Sequence, residues 1–339
     1  MDVLLGKTLI ELQEVAVSVG LQKFAGKQLA QWLYVQRVTS IDEMTNISLK
    51  GREALKANYT VGRHAPVREA VSVDGTRKYL FAVGEQFVES VYIPEEDRAT
   101  LCVSTQAGCK MGCKFCMTGT LGFHGHLSAA DILNQIFYFD DLSNIVFMGE
   151  GEPMDNIDNV LRSLEIMRAE YGCAWSPKRI TVSTVGIPAM KRFLEESECH
   201  LAVSMHNPFV SERAQIMPAE KMMSITQVVD LIKQYDWSHQ RRVSFEYICW
   251  AGQNDTPRHA KEIKRLLRGL NCRINLIRFH EGVEEIKPSS NTQIFKPSDE
   301  KQMEWFRDYL TENGITTTIR RSRGEDILAA CGMLVNSLQ

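Results

Sequence analysis

The sequence lacks the features that define several large classes of protein. No stretch approaches ~18 consecutive apolar residues, so no transmembrane helix is expected. Neither sign of charge dominates, because 39 basic and 42 acidic side chains leave a net charge of −3. This balance gives no overall sign of nucleic-acid binding. No repeat or low-complexity tract is visible, and 44% hydrophobic with 24% charged residues excludes a disordered chain and a small disulfide scaffold.

The cysteines point to chemistry rather than to cross-linking. Met1–Glu11 has Lys7 as its only basic residue and no small-residue cleavage site, so we expect no secretory signal and a cytoplasmic location. The chain has nine cysteines, an odd number, and clustered cysteines in a reducing compartment are typical of metal sites or catalysis. Cys109, Cys113 and Cys116 form such a cluster. Four others are interpreted as core or surface fillers: Cys173, Cys199, Cys249 and Cys272.

Hydrophobic periodicity changes along the first third of the chain. Apolar residues at first follow helical spacing, which predicts a helical accessory region over residues 1–62. Strict alternation follows, from Tyr79 to Val83 and again from Phe87 to Ile93. This alternation predicts a small antiparallel β extension over residues 63–94.

From about residue 99 the pattern becomes strand, loop and helix, repeated. The predicted strands are Thr100–Thr105, Asn144–Met148, Arg179–Thr184, His200–Met205, Arg242–Ile248 and Arg273–Phe279, and the predicted helices are Ala129–Phe139, Asn159–Tyr171, Ile225–Gln234, Pro257–Arg268 and Asp299–Asn313. Six such units predict an α/β fold with a parallel sheet and outer helices. Only one further strand signal remains, at Ile315–Arg321, so a partial (β/α)6 barrel over residues 95–324 fits better than a closed eight-stranded barrel. Chemistry is expected at the carboxyl ends of its strands.

The segment from Cys109 to Cys116 has the spacing C-x3-C-x2-C. Three thiolates on one short loop can hold three corners of a cubane [4Fe–4S] cluster, and Gly112 permits tight curvature. The fourth iron would be open to a ligand that carries amino and carboxylate groups. The alternative is a structural zinc site, with His124 or His126 as the fourth ligand.

Polar residues also follow the next strands. Gly149-Glu150-Gly151-Glu152-Pro153 comes after the second strand, where Gly151 would permit close backbone approach and Glu152 would accept from an ammonium group. The residues at the third and fourth strand ends are Ser183, Ser204, Met205 and His206. Each of these residues could instead serve only to form its own turn or loop. Their shared location at one barrel mouth indicates a cofactor site.

Two further cysteines flank the barrel. Cys102 precedes the cluster on the first predicted strand, and Cys331 lies in the segment 325–339. Nearby arginines, among them Arg320, would favour a thiolate at Cys331. For each cysteine alone, a buried apolar side chain is the other interpretation.

Three cysteines at this spacing after the first strand of a βα barrel resemble the radical S-adenosylmethionine (SAM) superfamily. The runs Arg98–Cys109, Gly151-Glu152-Pro153 and Ser204-Met205-His206, with Arg-Gly-Glu-Asp-Ile-x-Ala-Ala before Cys331, more closely resemble the RlmN/Cfr family of RNA methyltransferases. The resemblance covers essentially the whole chain. It implies that the three clustered cysteines hold one [4Fe–4S] cluster and that the strand-end residues contact SAM.

The resemblance also implies the roles of three side chains. Cys331 would carry a methyl group, Cys102 would resolve a protein–RNA adduct, and Glu89 would accept a proton. Adenine C2 is electron-poor, so one SAM would methylate Cys331 and a second would supply the radical that activates this methyl group. Attack of Cys102 on the Cys331 sulfur would release the RNA and leave a disulfide, which a reductant then reopens.

The chain departs from the family pattern at two positions. Glu150 stands where the family usually has methionine, which we expect to add a negative charge beside the site. His280 stands where the family usually has the asparagine that contacts the cofactor after the sixth strand. An imidazole can form similar hydrogen bonds, so we assign His280 to the cofactor site.

RNA contact has only a weak signature in the sequence. The basic pairs are separate, at Lys178-Arg179, Arg241-Arg242, Lys264-Arg265 and Arg320-Arg321. Binding would therefore depend on a local patch and on the shape of the RNA. The helices of residues 1–62 either dock RNA or cap the barrel.

Within the family, Glu152-Pro153 and the run Tyr92–Thr100 favour the branch that methylates adenine C2. We expect 23S rRNA near the peptidyl transferase centre, and tRNA at the adenine 3′ to the anticodon, as substrates. The alternatives are a Cfr-type enzyme acting on adenine C8 and a non-catalytic iron–sulfur or zinc protein that binds RNA. An electron donor such as flavodoxin, a monomeric state and no membrane are further expectations.

Overall fold

The computed structural model describes residues 1–237, 242–280 and 295–334. The strands are β1 (Asp2–Val3), β2 (Tyr59–Thr60), β3 (Arg68–Val71), β4 (Arg77–Val83), β5 (Gln86–Glu95), β6 (Arg98–Cys102), β7 (Gln106–Gly108), β8 (Phe123–His126), β9 (Asn144–Phe147), β10 (Ile180–Thr184), β11 (His200–Ser204), β12 (Val243–Cys249), β13 (Cys272–Arg278) and β14 (Thr316–Ile319). The α-helices are α1 (Leu9–Ser18), α2 (Ala25–Ala30), α3 (Leu49–Asn58), α4 (Ala129–Phe137), α5 (Ile157–Arg168), α6 (Met190–Glu196), α7 (Val210–Ile216), α8 (Ile225–Ile232), α9 (Pro257–Leu266) and α10 (Glu300–Glu312).

A single ten-stranded sheet carries both the barrel and the β extension. Its order is β14-β13-β12-β11-β10-β9-β6-β5-β4-β3. Neighbours from β6 to β14 are parallel, whereas β3, β4, β5 and β6 pair antiparallel. β14 and β3 are the two edges of this sheet, so the described barrel does not close. The predicted partial barrel is confirmed, and the extension continues its sheet.

The helices form because their apolar faces are buried and their ends are capped. Ser128 begins α4 with a capping box to Asp131, and Ser224 does the same for α8 with Gln227. The buried faces of these helices join the apolar strands of the sheet in one continuous core. This core also includes Leu4 of the N-terminal region, which therefore packs on the barrel. Within the described ranges, no helix is both long and apolar enough to cross a membrane.

The first predicted barrel strand, Thr100–Thr105, is wrong at its carboxyl end. β6 stops at Cys102, because Thr105 turns its N–H to the carbonyl of Glu150, 2.9 Å away, rather than continuing the ladder. The chain then forms the separate pair β7 and β8. The sequence patterns also missed α6 and α7, since seven residues give only about two turns of apolar repeat.

Candidate active site

The three clustered cysteines lie on the loop between β7 and β8, which we call the cysteine loop (residues 109–122). The N–H of Cys109 donates to the carbonyl of Gly122 at 2.8 Å. Gly108 has φ +69°, and a Cβ atom there would lie 1.9 Å from the same carbonyl oxygen. Only glycine therefore permits the close approach that fixes the base of the loop. The N–H of Cys116 donates to the carbonyl of Cys113 at 3.1 Å, which curls the loop back on itself.

The sulfur environment fits an iron–sulfur cluster. Burial raises the pKa of all three thiols, that of Cys109 to about 12, so the thiolates require a cationic partner. Backbone N–H groups are already directed at sulfur, as from Met111 to Cys109 Sγ at 3.5 Å. Hydrogen bonds of this kind stabilise cluster thiolates.

The zinc alternative finds less support in the same loop. In the described part of the chain, no three His, Cys, Asp or Glu side chains are placed to ligate a single metal ion. His124 Nε2 lies 2.9 Å from the carbonyl of Leu121, and His126 Nδ1 lies 3.1 Å from Gln106 Nε2. A cubane holds its thiolates farther apart than one zinc ion does, so these cysteines fit the cluster better.

Glu152 links the ends of two barrel strands. Its carboxylate accepts from the N–H of Met154 at 3.0 Å and from the N–H of Val185, after β10, at 2.9 Å. Burial raises the pKa of Glu152 to about 7, although these N–H donors oppose the shift. Gly151 has φ +94°, and a Cβ there would lie 2.5 Å from the side chain of Gln106. The glycine therefore permits this close approach of the turn to β7.

Glu150 lies buried beneath the site, and its negative charge adds to the effect of burial in raising the pKa of the Cys116 thiol, as expected of an added charge there. Its side chain is buried, and it accepts from the N–H of Glu89 at 2.7 Å and from the N–H of Gly108 at 3.4 Å. Ser104 Oγ accepts from the N–H of Glu150 and donates to the carbonyl of Glu89 at 2.6 Å. This departure from the family pattern therefore connects β5 with the base of the cysteine loop.

The turn after β11 is held by a buried arginine. Arg213 on α7 donates to the carbonyls of Val185, Ser204 and Met205 and pairs with Glu220. Met205 is fully buried, whereas Ser204 and Ser183 are partly exposed on their strands. The two serines are therefore accessible to a cofactor, whereas Met205 is not.

His206 is a buried neutral imidazole. Its Nδ1 accepts from the N–H of Ile248 at 3.0 Å, so any ring proton is on Nε2. Burial and the charge of Arg213 lower the pKa of His206 to about 3. The ring packs edge-on against Phe115 of the cysteine loop, with centroids 4.8 Å apart. His206 thus connects the loop to β11 and β12.

The C-terminal segment (residues 322–334) brings Cys331 to the cysteine loop. The N–H of Met117 donates to the carbonyl of Gly332 at 2.8 Å, and Thr118 Oγ1 donates to the carbonyl of Leu334 at 3.1 Å. On the other side, Asp326 accepts from Ser72 Oγ and from the N–H of Val73 in the turn after β3. The segment therefore lies between the β extension and the cysteine loop.

A small apolar cluster places the two outlying cysteines in one region. Val91, Ala329 and Leu334 form its buried centre, separate from the main core. Cys102, Ile93 and Ile327 are partly buried and pack against it. Cys102 therefore contacts the same cluster that holds the segment of Cys331.

The thiols of Cys102 and Cys331 influence each other electrostatically. Burial raises the pKa of Cys102 to about 12, and a nearby Cys331 thiolate raises it further. Cys331 reaches solvent, but it lies in a recess whose incomplete hydration raises its pKa. Arg320 opposes this rise, as expected of a nearby arginine, but burial outweighs its effect on the pKa of Cys331. Cys116 also contributes to the shift, which places Cys331 near the cysteine loop.

Glu89 forms a buried ion pair on β5. Lys78 Nζ lies 3.0 Å from Glu89 Oε1, and the two side chains are 8% and 3% exposed. Lys78 Nζ also lies 3.5 Å from the carbonyl of Leu328 in the C-terminal segment. A cavity of about 150 Å³ adjoins the pair and is bounded by Ile327. Glu89 therefore faces the segment that carries Cys331.

His280 contacts the C-terminal segment. Its Nε2 lies 2.7 Å from Ser322 Oγ, and its Nδ1 lies 3.5 Å from a carboxylate oxygen of Glu325. The imidazole therefore connects the end of β13 to the start of this segment. Its predicted contact with the cofactor remains a prediction.

Sequence reasoning missed three residues that organise the site: Lys78, Arg213 and Asp326. Lys78 was missed because the alternation of Tyr79, Phe81 and Val83 assigns it to the opposite face of the strand, and the structure buries that face as well. Arg213 and Asp326 have no detectable signal, since their partners are backbone groups distant in sequence. Arg241 of the basic pairs lies outside the described residues.

Two family models match the chain. Residues 3–61 match the ribosomal RNA large subunit methyltransferase N-terminal domain, and residues 103–267 match the radical SAM superfamily. The first match covers the helical region, and the second covers the cysteine loop and most of the barrel.

Individual proteins are similar over nearly the full length. A probable dual-specificity RNA methyltransferase RlmN of Bacteroides thetaiotaomicron is 58% identical over 99% of this chain and 96% of its own. The dual-specificity RNA methyltransferase RlmN of Syntrophobacter fumaroxidans is 38% identical over 97% of this chain and 96% of its own. A crystal structure of a radical SAM methyltransferase from Sphaerobacter thermophilus has a TM-score of 0.90 and 35% identity, covering 98% of this chain and 99% of that one.

Proposed function

The chain belongs to the RlmN family of radical SAM RNA methyltransferases, and we propose that it methylates C2 of an adenine in 23S rRNA near the peptidyl transferase centre and of the adenine 3′ to the anticodon in tRNAs. One observation carries this proposal. The segment of Cys331 is docked between the cysteine loop and the apolar cluster that contains Cys102. This juxtaposition suits a reaction in which one thiol carries a methyl group and the other later attacks its sulfur.

Different residues of the chain would bind the cluster, contact SAM and accept the methyl group. Cys109, Cys113 and Cys116 would hold one [4Fe–4S] cluster, and Gly151, Glu152, Ser183, Ser204 and His280 would contact SAM, with Met205 and His206 setting the turn beneath it. When bound, the cluster and SAM supply a carbon radical and a methyl group. The Cys331 sulfur would accept the methyl from one of two SAM molecules by displacement.

The later steps involve Glu89 and Cys102. Once the methyl carbon of Cys331 has joined the adenine ring, Glu89 would accept the proton that leaves the ring carbon. Cys102 would then attack the Cys331 sulfur, so that a disulfide forms and the sulfur–carbon bond to the RNA breaks; the released carbon keeps the electron pair and takes up a proton, which completes the methyl group. The raised pKa of both thiols means that proton removal must accompany each step in which they act.

The remaining assignments complete the proposal. Residues 1–62 would dock RNA, residues 63–94 would supply Glu89, residues 95–324 would form the radical SAM barrel, and residues 325–339 would carry the methyl acceptor. The enzyme would act as a monomer in the cytoplasm, with an electron donor such as flavodoxin. Reducing conditions there would reopen the disulfide after each turnover.

Mass spectrometry of RNA tests the function directly. A strain that lacks this gene should have unmodified adenine at the target positions of 23S rRNA and tRNA, and the gene should restore 2-methyladenine. Restoration of 8-methyladenine instead would favour the Cfr-type alternative.

Replacement of Cys109, Cys113 or Cys116 by alanine should abolish the brown chromophore and SAM cleavage. Failure of the parent protein to cleave SAM after anaerobic reconstitution would favour a non-catalytic protein.

A further inference from the structure

The inside of the partial barrel contains a cavity for which the roles above provide no occupant. Its volume is about 510 Å³, within the usual range for small-molecule sites. The lining begins at the amino ends of the strands, with His200, Arg242 and Thr316, and extends up to Glu246 and Arg320. The cavity therefore runs from the amino-end side of the barrel towards the reacting cysteines.

The cavity is cationic. Four basic side chains line it: Lys178, Arg242, Arg273 and Arg320. Within residues 1–237, 242–280 and 295–334, none of the four side chains forms an ion pair or donates a hydrogen bond. Glu246 is the only carboxylate in the lining, so the charge balance favours an anionic ligand.

Glu246 presents an acceptor to this cavity. The residue is only 6% exposed, and its Oε1 accepts from Asn275 Nδ2 at 2.7 Å and from Ser244 Oγ at 3.0 Å. Asn275 is fixed in turn, because its Oδ1 accepts from Thr318 Oγ1 at 2.9 Å. No donor in the described part of the chain reaches Glu246 Oε2. This oxygen is not one of the buried polar atoms that lack a partner, so it is accessible from the cavity, where it can accept from an N–H or O–H group of a ligand.

The cavity lies on the same side of the sheet as Cys102 and near Cys331, although neither thiol lines it. Cys102 pairs in register with Val146, Val146 with Thr181, and Thr181 with His200. Paired residues of a parallel sheet point to the same face, and the last three line the cavity, so Cys102 lies on the cavity side. At the upper end, the charges of Arg320 and Glu246 both act on Cys331.

We infer that this cavity receives the target adenosine with an adjoining phosphate, an inference that rests on the proposed function. Glu246 Oε2 accepts a hydrogen bond from the exocyclic amino group of adenine, and the four cations bind the RNA backbone. The RNA enters from the amino-end side, because the C-terminal segment and the cysteine loop cover the opposite end. Glu246 is thus a specificity-determining residue.

Salt-dependent binding tests the cations. The probe is an unmodified RNA hairpin that the parent protein methylates, and the variants are Arg273→Gln and Arg242→Gln in the full-length protein. Each should weaken binding about tenfold and reduce the slope of log Kd against log salt by about 0.7 to 1. Arg268→Gln removes the same charge from the outside of the barrel and should change neither. Equal affinities for all three variants would overturn the inference.

Base substitution tests Glu246. Inosine replaces the amino donor of adenosine with a carbonyl acceptor, so parent protein should bind a hairpin with inosine at the target position about tenfold more weakly. Glu246→Gln places an amide N–H₂ where Oε2 was, and this variant should favour inosine over adenosine. An unchanged preference in a variant that still binds RNA would refute the role of Glu246. If parent protein methylates no RNA, the proposed function itself fails, which is a separate result.

Discussion

Cys102 and Cys331 reach the same site on two different kinds of structure. Cys102 ends β6, which has neighbouring strands on both sides and lies within the continuous ten-stranded sheet. Cys331 lies on a segment without a strand, held by a few hydrogen bonds and a small separate apolar cluster. Segments with few buried contacts open locally at lower free energy than a central strand. The comparison teaches that the Cys102 thiol is fixed, whereas the Cys331 thiol is on the element better able to move, which suits the roles proposed for them.

Replacing each thiol gives the largest expected contrast. Cys331→Ala removes the methyl acceptor, so neither protein nor RNA should be methylated. Cys102→Ala leaves that acceptor in place and should accumulate a covalent protein–RNA adduct through Cys331, visible on a denaturing gel. Cys173→Ala, at a scattered cysteine away from the cavity, should retain turnover. Normal turnover by Cys102→Ala would contradict the two-thiol mechanism.

Breaking the buried pair of Lys78 and Glu89 should have the next largest effect. Lys78→Met removes the lysine from the buried Glu89 carboxylate, which should cost about 1.5–3 kcal/mol of unfolding free energy, the scale of a lost hydrogen bond to a charged group. Urea titration of the reduced protein measures this loss. The double variant Lys78→Met/Glu89→Leu removes both charges and should recover most of it. A single variant as stable as the parent would show that the pair has no such role.

His280→Ala should weaken SAM binding by ~1–2 kcal/mol, the scale of one lost hydrogen bond with a buried partner. Its contacts with Ser322 and Glu325 add a second expected effect, faster hydrogen exchange in the C-terminal segment. Ser322→Ala removes only the second contact and serves as the matched control. If SAM affinity falls equally in both variants, His280 acts by positioning the segment and not by touching the cofactor.

The smallest predicted effect concerns the anchor of the C-terminal segment on the turn after β3. Asp326→Ala removes the acceptor for Ser72 and Val73, so amide exchange in residues 322–334 should accelerate several-fold. Exchange in β6 should stay as in the parent protein. Equal acceleration in β6 would show that both thiols depend on one cooperative unit.

The sequence predicted most of the barrel, and the reasons lie in particular residues. Parallel strands such as β10 and β11 are short and rich in apolar residues. Two of the barrel helices, α4 and α8, begin at clear N-caps, Ser128 and Ser224. The cysteine spacing and the strand-end residues were readable because they are local in sequence. Contacts between residues far apart in sequence could not be predicted, for example Asp326 with Ser72 or Glu150 with Glu89. The raised pKa of the Cys331 thiol likewise depends on its surroundings in the fold, which charge counting cannot detect.

The order of strands in the sheet has a consequence for synthesis of the protein. From β3 to β14 the main sheet follows the order of the chain, with only the pair β7 and β8 set aside. Each strand can therefore join an existing edge as it leaves the ribosome, since domains generally fold from the N-terminal end during translation. The C-terminal segment emerges after β14, yet it docks on residues 72–78 and on the cysteine loop. A nascent chain thus acquires its methyl acceptor only after the rest of the enzyme has folded.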